Sequence, residues 1–469
     1  MIVHDAFRLE LDFFAQQPVR IEPLQEQLSS DAGLLLFRQL DEQVSFTAGF
    51  AAQLEDSRRA PEHSPLEMVR SRLYGVLAGY EDQNDHDALR GDAVFKLLAG
   101  RSPNDDDLAS QPTLSRFENS VSPGSLLRLE EWFLQRFVSI FESAPKRLTL
   151  DIDVLDDPAH GDQQLTLFHG YYGQYQYLVR AITCAENDLV VLPALLHGTA
   201  HATLGAAVEI ERVVTAIRQR FADLPIHLRG DSGYAAPAMY EACERLRVEY
   251  TIGIGMNAVL RRNSEELLQQ AVACYEQTGQ PQRLFTGFYY QAGSWPAPRF
   301  VVVKCEAHAQ GTNRRAVVTN RPGAAVLPQG VYEEYAARGE SENRNKELKC
   351  GLAIDRLSDH RYMANCFRMF LHCGAYNLLT HMRHRIAAPP PNAGELPPEA
   401  QTGRDRRRQF NRRRAADPLG EGHACTWRTM LIKVAARIKV TARCVRIFLS
   451  GSWPYLPYFR AVGERLLSG

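Results

Sequence analysis

The sequence predicts an α/β chain with a mixed sheet at its centre, a helical segment before it and a strongly basic segment after it. Three observations lead to this fold class. Between residues 148 and 255, alternating and β-branched runs are interleaved with helical repeats. Before residue 145, apolar side chains recur at helical spacing, most clearly over 65–80. After residue 401, arginine and lysine far outnumber acidic residues.

Length and composition limit the class of protein. The 469 residues allow two to four domains, and 45% hydrophobic content supplies their cores. No apolar run is long enough for a membrane span, and the first residues lack the layout of an export leader. The nine cysteines are scattered without a C-x-x-C pair, which favours free thiols in a reducing compartment. We therefore expect a cytoplasmic protein with no membrane partner.

Charge is distributed unevenly along the chain. The whole chain has 54 Lys+Arg and 55 Asp+Glu, of which residues 401–460 hold 14 and 3, so the remainder carries 40 and 52. A basic segment is thus joined to a mildly acidic body. Concentrated positive charge is typical of a protein with a polyanionic partner. A flexible basic tail without a partner is the alternative.

The N-terminal segment contains one candidate DNA-docking motif. Residues 107–118 predict a helix, a turn and a second helix, with Pro112 ending the first helix and Ser115 and Glu118 forming a capping box for the second. A helix-turn-helix of this kind would suit DNA docking. Ordinary packing of two helices is the alternative interpretation.

The middle of the chain predicts a defined order of elements. Strands are expected over 148–155, 171–182 and 188–196, followed by a helix over 204–221, a strand over 226–231, a helix over 236–246 and a strand over 250–255. Three strands, helix, strand, helix, strand is the order of a ribonuclease-H-like core. Strand-like runs then predict a β-rich insertion, and a long helix is expected over 360–385.

The predicted organisation has six parts. They are a helical DNA-binding domain (1–145), the first part of the ribonuclease-H-like core (146–256), a β-rich insertion (257–330), the second part of the core (331–386), a Pro/Arg-rich linker (387–425) and a basic helical C-terminal region (426–469). In the last part, an amphipathic helix is expected over 426–449.

Three acidic side chains are candidate metal ligands. Asp153 lies on the first predicted core strand, Asp231 ends the fourth, and Glu342 begins a helix after the insertion. Adjacent strands lie only ~4.8 Å apart, so the two aspartates can share an ion. Oxygen ligands suit Mg²⁺ or Mn²⁺. Asp151 lies on the same strand face as Asp153 and is the alternative first ligand.

The segment 335–349 places Tyr335, Arg338, Glu342 and Lys349 at gaps of two, three and six residues. It resembles the Tyr-(2)-Arg-(3)-Glu-(6)-Lys signature of bacterial insertion-sequence transposases of the DDE type. A solvated charged helix is the alternative. Other segments of the chain also resemble this family and occur in the order expected for it. They are residues 79–85, 113–118, 151–153 with 170–173, 229–233 and 342–349.

The resemblance implies a DNA transposase. Such an enzyme cleaves insertion-sequence ends by metal-dependent hydrolysis and joins them to target DNA by transesterification, in cut-and-paste fashion with a hairpin intermediate. Two Mg²⁺ or Mn²⁺ ions would be held by Asp153, Asp231 and Glu342. The expected partner is double-stranded DNA, both the terminal inverted repeats and the target. A homodimer on DNA, associated with the bacterial nucleoid, is also implied.

Six further residues are candidate DNA contacts. Trp295 would stack on an extruded base, with stabilisation of its own turn as the alternative. The resemblance implies that Tyr335, Arg338 and Lys349 contact the phosphates near the cleavage point, roles that suit the side chains of arginine and lysine. Arg344 and Lys346 are the remaining candidates for DNA binding. Two other functions remain open, namely a ribonuclease-H-like nuclease without strand transfer and a catalytically inactive, domesticated DNA-binding protein.

Overall fold

The computed structural model describes residues 7–13, 16–24, 26–56, 58–59, 61–386, 415, 417, 419–420 and 422–468. Most of the predicted Pro/Arg-rich linker, 387–425, therefore lies outside the described residues. The strands are β1 (Leu9–Leu11), β2 (Val19–Ile21), β3 (Gln27–Ser29), β4 (Leu148–Pro158), β5 (Leu167–His169), β6 (Gln174–Cys184), β7 (Val190–Leu196), β8 (Ile226–Gly230), β9 (Glu249–Ile254), β10 (Gln282–Tyr290), β11 (Arg299–His308), β12 (Gly311–Thr319), β13 (Ala436–Val440) and β14 (Val445–Leu449).

The helices surround these strands. They are α1 (Leu34–Val44), α2 (Phe46–Ala51), α3 (Pro65–Ala78), α4 (His86–Leu89), α5 (Ala93–Ala99), α6 (Gln111–Asn119), α7 (Pro123–Ser139), α8 (Ala206–Arg220), α9 (Pro237–Arg245), α10 (Ala258–Asn263), α11 (Glu265–Thr278), α12 (Pro328–Ala336), α13 (Gly339–Lys346), α14 (Tyr362–Ile386), α15 (Ala424–Trp427) and α16 (Leu456–Leu467). A 3₁₀ turn covers Ser232–Tyr234, and π-helical turns cover Glu347–Gly351 and Arg428–Ile432.

A nine-stranded sheet forms the centre of the molecule. Its order is β10-β11-β12-β9-β8-β4-β6-β5, and β7 also pairs with β6. The three strands β4, β8 and β9 are parallel to one another, whereas the other pairs are antiparallel. The mixed α/β class is thus confirmed, and the sheet is consistent with a ribonuclease-H-like DDE fold. The elements over 148–254 follow the predicted order, with the short β5 in addition.

The predicted β-rich insertion over 257–330 has a different character from that expected. It begins with two helices, α10 and α11, before β10, β11 and β12. Strand β12 pairs with β9, from Ala316 opposite Ile254 to Thr319 opposite Thr251. The insertion therefore extends the central sheet instead of interrupting the core as a separate β piece.

The predicted amphipathic helix over 426–449 is wrong, and with it the wholly helical C-terminal region. After α15 and a π-helical turn, the chain forms the antiparallel hairpin β13–β14, and β13 also pairs with β3. Apolar residues four apart, such as Val434 and Ile438, fit both a helix and a strand, because four is a multiple of the strand period. Buried Ala436 and Ile438 alternate with exposed Arg437 and Lys439, so the true period is two.

The predicted helix-turn-helix over 107–118 is also wrong. Residues 101–110 are not helical, and Pro112 lies in the first turn of α6, where its missing N–H costs nothing. Residue Glu118 is fully buried in α6 between Arg72 of α3 and Arg368 of α14, and it forms an ion pair with each. This helix is thus fixed by packing within the N-terminal helices.

Two hydrophobic cores lie on the two faces of the central sheet. One joins the N-terminal helices, α14 and the C-terminal region, and the other joins α8, α9 and α11 to the sheet. Because the N-terminal helices share their core with α14, the predicted boundary near residue 145 stays a prediction. No helix in the described part of the chain is long and apolar enough to cross a membrane.

Candidate active site

Two of the three predicted metal ligands lie side by side. Strands β4 and β8 are parallel with Ile152 opposite Gly230, so Asp153, midway along β4, lies one step further along beside Asp231, which directly follows β8. Burial raises the pKa of Asp153 to about 6, the Arg338 cation opposes this rise, and the negative charge of Asp231 adds to it. The Asp231 carboxylate accepts a hydrogen bond from Gly233 N at 2.9 Å, which fixes the turn after β8.

The carboxylate of Asp153 accepts hydrogen bonds from the segment 335–349, which carries the Tyr-Arg-Glu-Lys signature. Arg338 Nη1 and Asn345 Nδ2 donate to its Oδ2 at 3.1 and 3.0 Å. The backbone N–H of Val154 donates to Oδ1 at 2.9 Å. A guanidinium thus lies against the carboxylate where a metal cation would bind in a loaded site.

Tyr335 completes this arrangement from α12. Its ring lies 5.9 Å from Arg338 Cζ, and burial raises the pKa of its hydroxyl. A Cβ atom on Gly253 of β9 would lie 2.8 Å from Tyr335 Oη and 3.0 Å from Ser232 N. Only glycine permits this close approach, so Gly253 keeps Tyr335 beside the turn that follows Asp231.

Glu342 lies on the same helix face but does not join the aspartates. It is exposed on α13, four residues after Arg338 and three before Asn345, both of which contact Asp153. Residues at these spacings share one helix face. Even so, no three His, Cys, Asp or Glu side chains of the described residues are grouped closely enough to hold a metal ion. The predicted triad is therefore assembled only in part.

The other predicted phosphate contacts differ in their accessibility. Lys346 is exposed, whereas Lys349 donates from Nζ to Asp156 Oδ1 at 2.8 Å. Arg344 is buried and donates to Asp151 and Asp188, so it is not free to contact DNA in this structure. The prediction for Arg344 is thus corrected, because in α13 its side chain points into the protein.

Trp295 is also placed differently from the stacking prediction. It is only 6% exposed, in the connection between β10 and β11. Its ring packs edge-on against Tyr240 and Tyr290, with Arg299 Cζ 5.7 Å from the ring centre. This packing corresponds to the turn-stabilising alternative and leaves no free ring face for a base.

Asp151 has a structural environment, although it shares a strand face with Asp153. Its carboxylate is inaccessible and accepts two hydrogen bonds from Arg229 at 2.7 and 2.8 Å. Arg344 Nη1 donates to its Oδ2 at 2.9 Å. With both oxygens bound by arginines, Asp151 has no room for a metal ion, and the geometry favours Asp153.

Asn345 is a site residue that the sequence did not single out. Its Nδ2 binds Asp153, while its Oδ1 is buried and has no hydrogen-bond partner among the residues that the structure describes. A buried, unpaired carbonyl oxygen is costly. The sequence contains a signal for this placement, because Asn345 follows Arg338 by seven residues, or two helical turns, and so lies on the same helix face.

Asp157, at the end of β4, gives a test of stability against pH. Burial, and then the Asp355 carboxylate, raise its pKa from 3.8 to about 8. The folded state thus holds this proton more tightly than the unfolded chain, so the stabilisation is complete below about pH 4 and is lost as pH rises towards 8. We expect Asp157→Asn to gain stability over wild type across this range, reaching a few kcal/mol. Urea unfolding at several pH values measures the difference, and a pH-independent difference would contradict the assignment.

The fold and site together define a class of protein. Neighbouring aspartates on two adjacent central strands, contacted by a segment that carries arginine, form an arrangement suited to metal ions and phosphate. A family model described as "Transposase DDE domain group 1" matches residues 12–393. The chain therefore belongs to this family of DDE transposases, which confirms the family resemblance of the sequence. No curated protein matches the chain.

Proposed function

We propose that the chain is a DNA transposase that cleaves insertion-sequence ends and joins them to target DNA by metal-dependent hydrolysis and transesterification. The observation that carries this proposal is the proximity of Asp153, midway along β4, to Asp231, which directly follows β8, together with the contact of Arg338 with Asp153. Family membership supports it independently. The cut-and-paste course with a hairpin intermediate is part of the proposal.

The donor set fits hard divalent cations. Asp153 and Asp231 offer carboxylate oxygens, and Asn345, which contacts Asp153, has a buried Oδ1 with no hydrogen-bond partner among the described residues. Glu342 lies at helical spacing from Arg338 and Asn345, which both contact Asp153. Such ligands suit Mg²⁺ or Mn²⁺. A pair of such ions would supply Lewis-acid stabilisation of the attacking and leaving oxygens. Asp153, Asp231 and Glu342 would hold them.

The protein's own side chains then have distinct roles on DNA. Arg338 would leave Asp153 for a phosphate of the cleaved strand, because its planar fork can donate two hydrogen bonds to phosphate oxygens. Lys349 would leave Asp156 and act as a point charge. Tyr335 would position the phosphate from α12. A small movement of α13 towards β4 would bring Glu342 to the aspartates.

The proposed partners are the terminal inverted repeats and the target DNA. Binding of two ends in one complex calls for a homodimer on DNA, acting at the bacterial nucleoid. The separation of Glu342 from the aspartates favours a second function, an inactive DNA-binding protein. A nuclease without strand transfer would use the same carboxylates, and a strand-transfer assay with a pre-cleaved end separates it from a transposase.

Cleavage of the DNA that flanks the gene tests the proposal. With Mg²⁺, we expect wild type to nick this DNA at the element ends and Asp231→Asn to lose at least about a thousandfold in rate. Asp223→Asn is the matched control, since Asp223 is an exposed aspartate in the turn after α8. Cleavage that persists in Asp231→Asn would overturn the assignment. Binding without nicking in wild type would support the inactive DNA-binding protein.

A further inference from the structure

The C-terminal hairpin β13–β14 presents positive charge on one face. Its register places Lys439 opposite Arg446 and Arg437 opposite Phe448, and all four side chains are exposed. Arg443 lies exposed in the connecting turn. We call Arg437, Lys439, Arg443 and Arg446 the basic ribbon face.

The opposite face of the hairpin is fixed to the protein. Ala436 and Ile438 are buried in the core that includes the N-terminal helices, and Ile447 packs against it. Pairing of β13 with β3 adds a third strand. The basic ribbon face is therefore held in place by a folded sheet and has a defined shape, unlike the flexible tail that composition alone allowed.

The charges on this face are poorly compensated. Like charges directly opposite each other on neighbouring strands destabilise a sheet, and Lys439 and Arg446 occupy such positions. Among the residues described, the acidic partner on this face is Glu26, which pairs with Arg437 at 3.2 Å. No carboxylate in the described ranges forms an ion pair with Lys439, Arg443 or Arg446. Arg437 is thus compensated in part, and the three other cations, which have no such ion pair, would lower their energy by binding an anionic surface.

We propose that the basic ribbon face binds the phosphate backbone of duplex DNA outside the cleavage point. This inference rests on the proposed function for the identity of the polyanion. Strand β3 pairs with β13 only over Ala436–Ile438, so at Lys439 and Arg446 the sheet has two strands and is narrow enough to enter the major groove, where its cations reach phosphates. The face belongs to a three-stranded sheet separate from the one that carries Asp153 and Asp231. The proposed contacts are to phosphate oxygens, so they should be independent of sequence and dependent on salt.

The test measures DNA binding by the full chain without metal at several salt concentrations. The variant Lys439→Gln/Arg446→Gln is expected to bind a random duplex about tenfold more weakly than wild type. Its slope of log affinity against log salt should fall by about 1.8, since each phosphate that a cation neutralises contributes ~0.9 to the slope. The control Lys146→Gln/Arg262→Gln removes two exposed cations elsewhere and should keep the wild-type slope. A third variant, Lys439→Arg/Arg446→Lys, retains both charges and should bind as wild type does.

The possible results distinguish a failure of the basic ribbon face from a failure of the proposed function. Failure of wild type to bind any duplex DNA would overturn the proposed function and this inference together. Wild-type binding with an unchanged slope in Lys439→Gln/Arg446→Gln would overturn only the basic ribbon face. Removal of the opposed charges should leave the melting temperature equal or higher. If binding and melting temperature fell together and the charge-retaining variant also failed to bind, the face would be structural and the proposal wrong.

Discussion

Asp151→Ala is expected to lower the free energy of unfolding by about 3–5 kcal/mol. The substitution leaves Arg229 without its bidentate carboxylate and removes one of the two carboxylates bound by Arg344. Both guanidinium groups are buried, so water cannot replace the missing carboxylate without opening the packing between β4, β8 and α13. Urea or guanidinium unfolding measures the change.

Asp153→Asn is the matched comparison for Asp151, two residues away on the same strand face. Burial disfavours the charged form of Asp153, as its raised pKa indicates, so a neutral amide should keep the stability of wild type. The same variant should lose Mg²⁺-dependent DNA cleavage. If Asp153→Asn unfolded the protein and Asp151→Ala did not, the assignment of the two aspartates would have to be exchanged.

Glu342→Gln is expected to reduce DNA cleavage at least about a thousandfold while leaving the folded protein intact. Glu342 is exposed, so its replacement disturbs no buried packing, and a fall in activity would report its role on the bound DNA. The amide keeps the size of the side chain and removes the charge needed to hold a divalent cation. Rates of nicking under single-turnover conditions measure the effect.

Glu340→Gln is the control for Glu342. Both residues are exposed glutamates in α13, but Glu340 lies two residues from Arg338, on a different helix face, and accepts from Asn343. The Glu340→Gln variant should therefore cleave DNA at the rate of wild type. Equal loss in the two variants would assign the effect to the net charge of the helix, and no loss in either would remove Glu342 from the site.

The central sheet could be predicted because its elements carry strong local patterns. The runs at 226–231 and 250–255 became β8 and β9, and the helix between them became α9. Asp231 directly follows β8 and Asp153 follows Ile152 of β4, so the proximity of the two aspartates could be expected once their strands were predicted to be adjacent and parallel. Family membership agrees with this arrangement.

The errors arise where local pattern is ambiguous or tertiary contact decides. Apolar spacings of four at 434 and 438 satisfy both helix and strand, and pairing with β3 selected the strand. Arg344 and Lys346 are both cations of one helical run, and the sequence does not distinguish them. In the structure Arg344 forms ion pairs with buried Asp151 and exposed Asp188, and these pairs hold its side chain against the protein. How closely α13 approaches β4 depends on packing, so helical spacing alone could not predict the distance between Glu342 and the two aspartates.

A site shared by Asp153, Asp231 and Glu342 should fix the number of Mn²⁺ ions that the protein–DNA complex binds. Electron paramagnetic resonance of free Mn²⁺ gives this number in a titration of each variant with terminal DNA. We expect about two ions per catalytic site for wild type and for Glu340→Gln, and weaker or fewer sites for Asp153→Asn, Asp231→Asn and Glu342→Gln. Unchanged number and affinity of ions in Glu342→Gln would contradict a site shared by the three carboxylates.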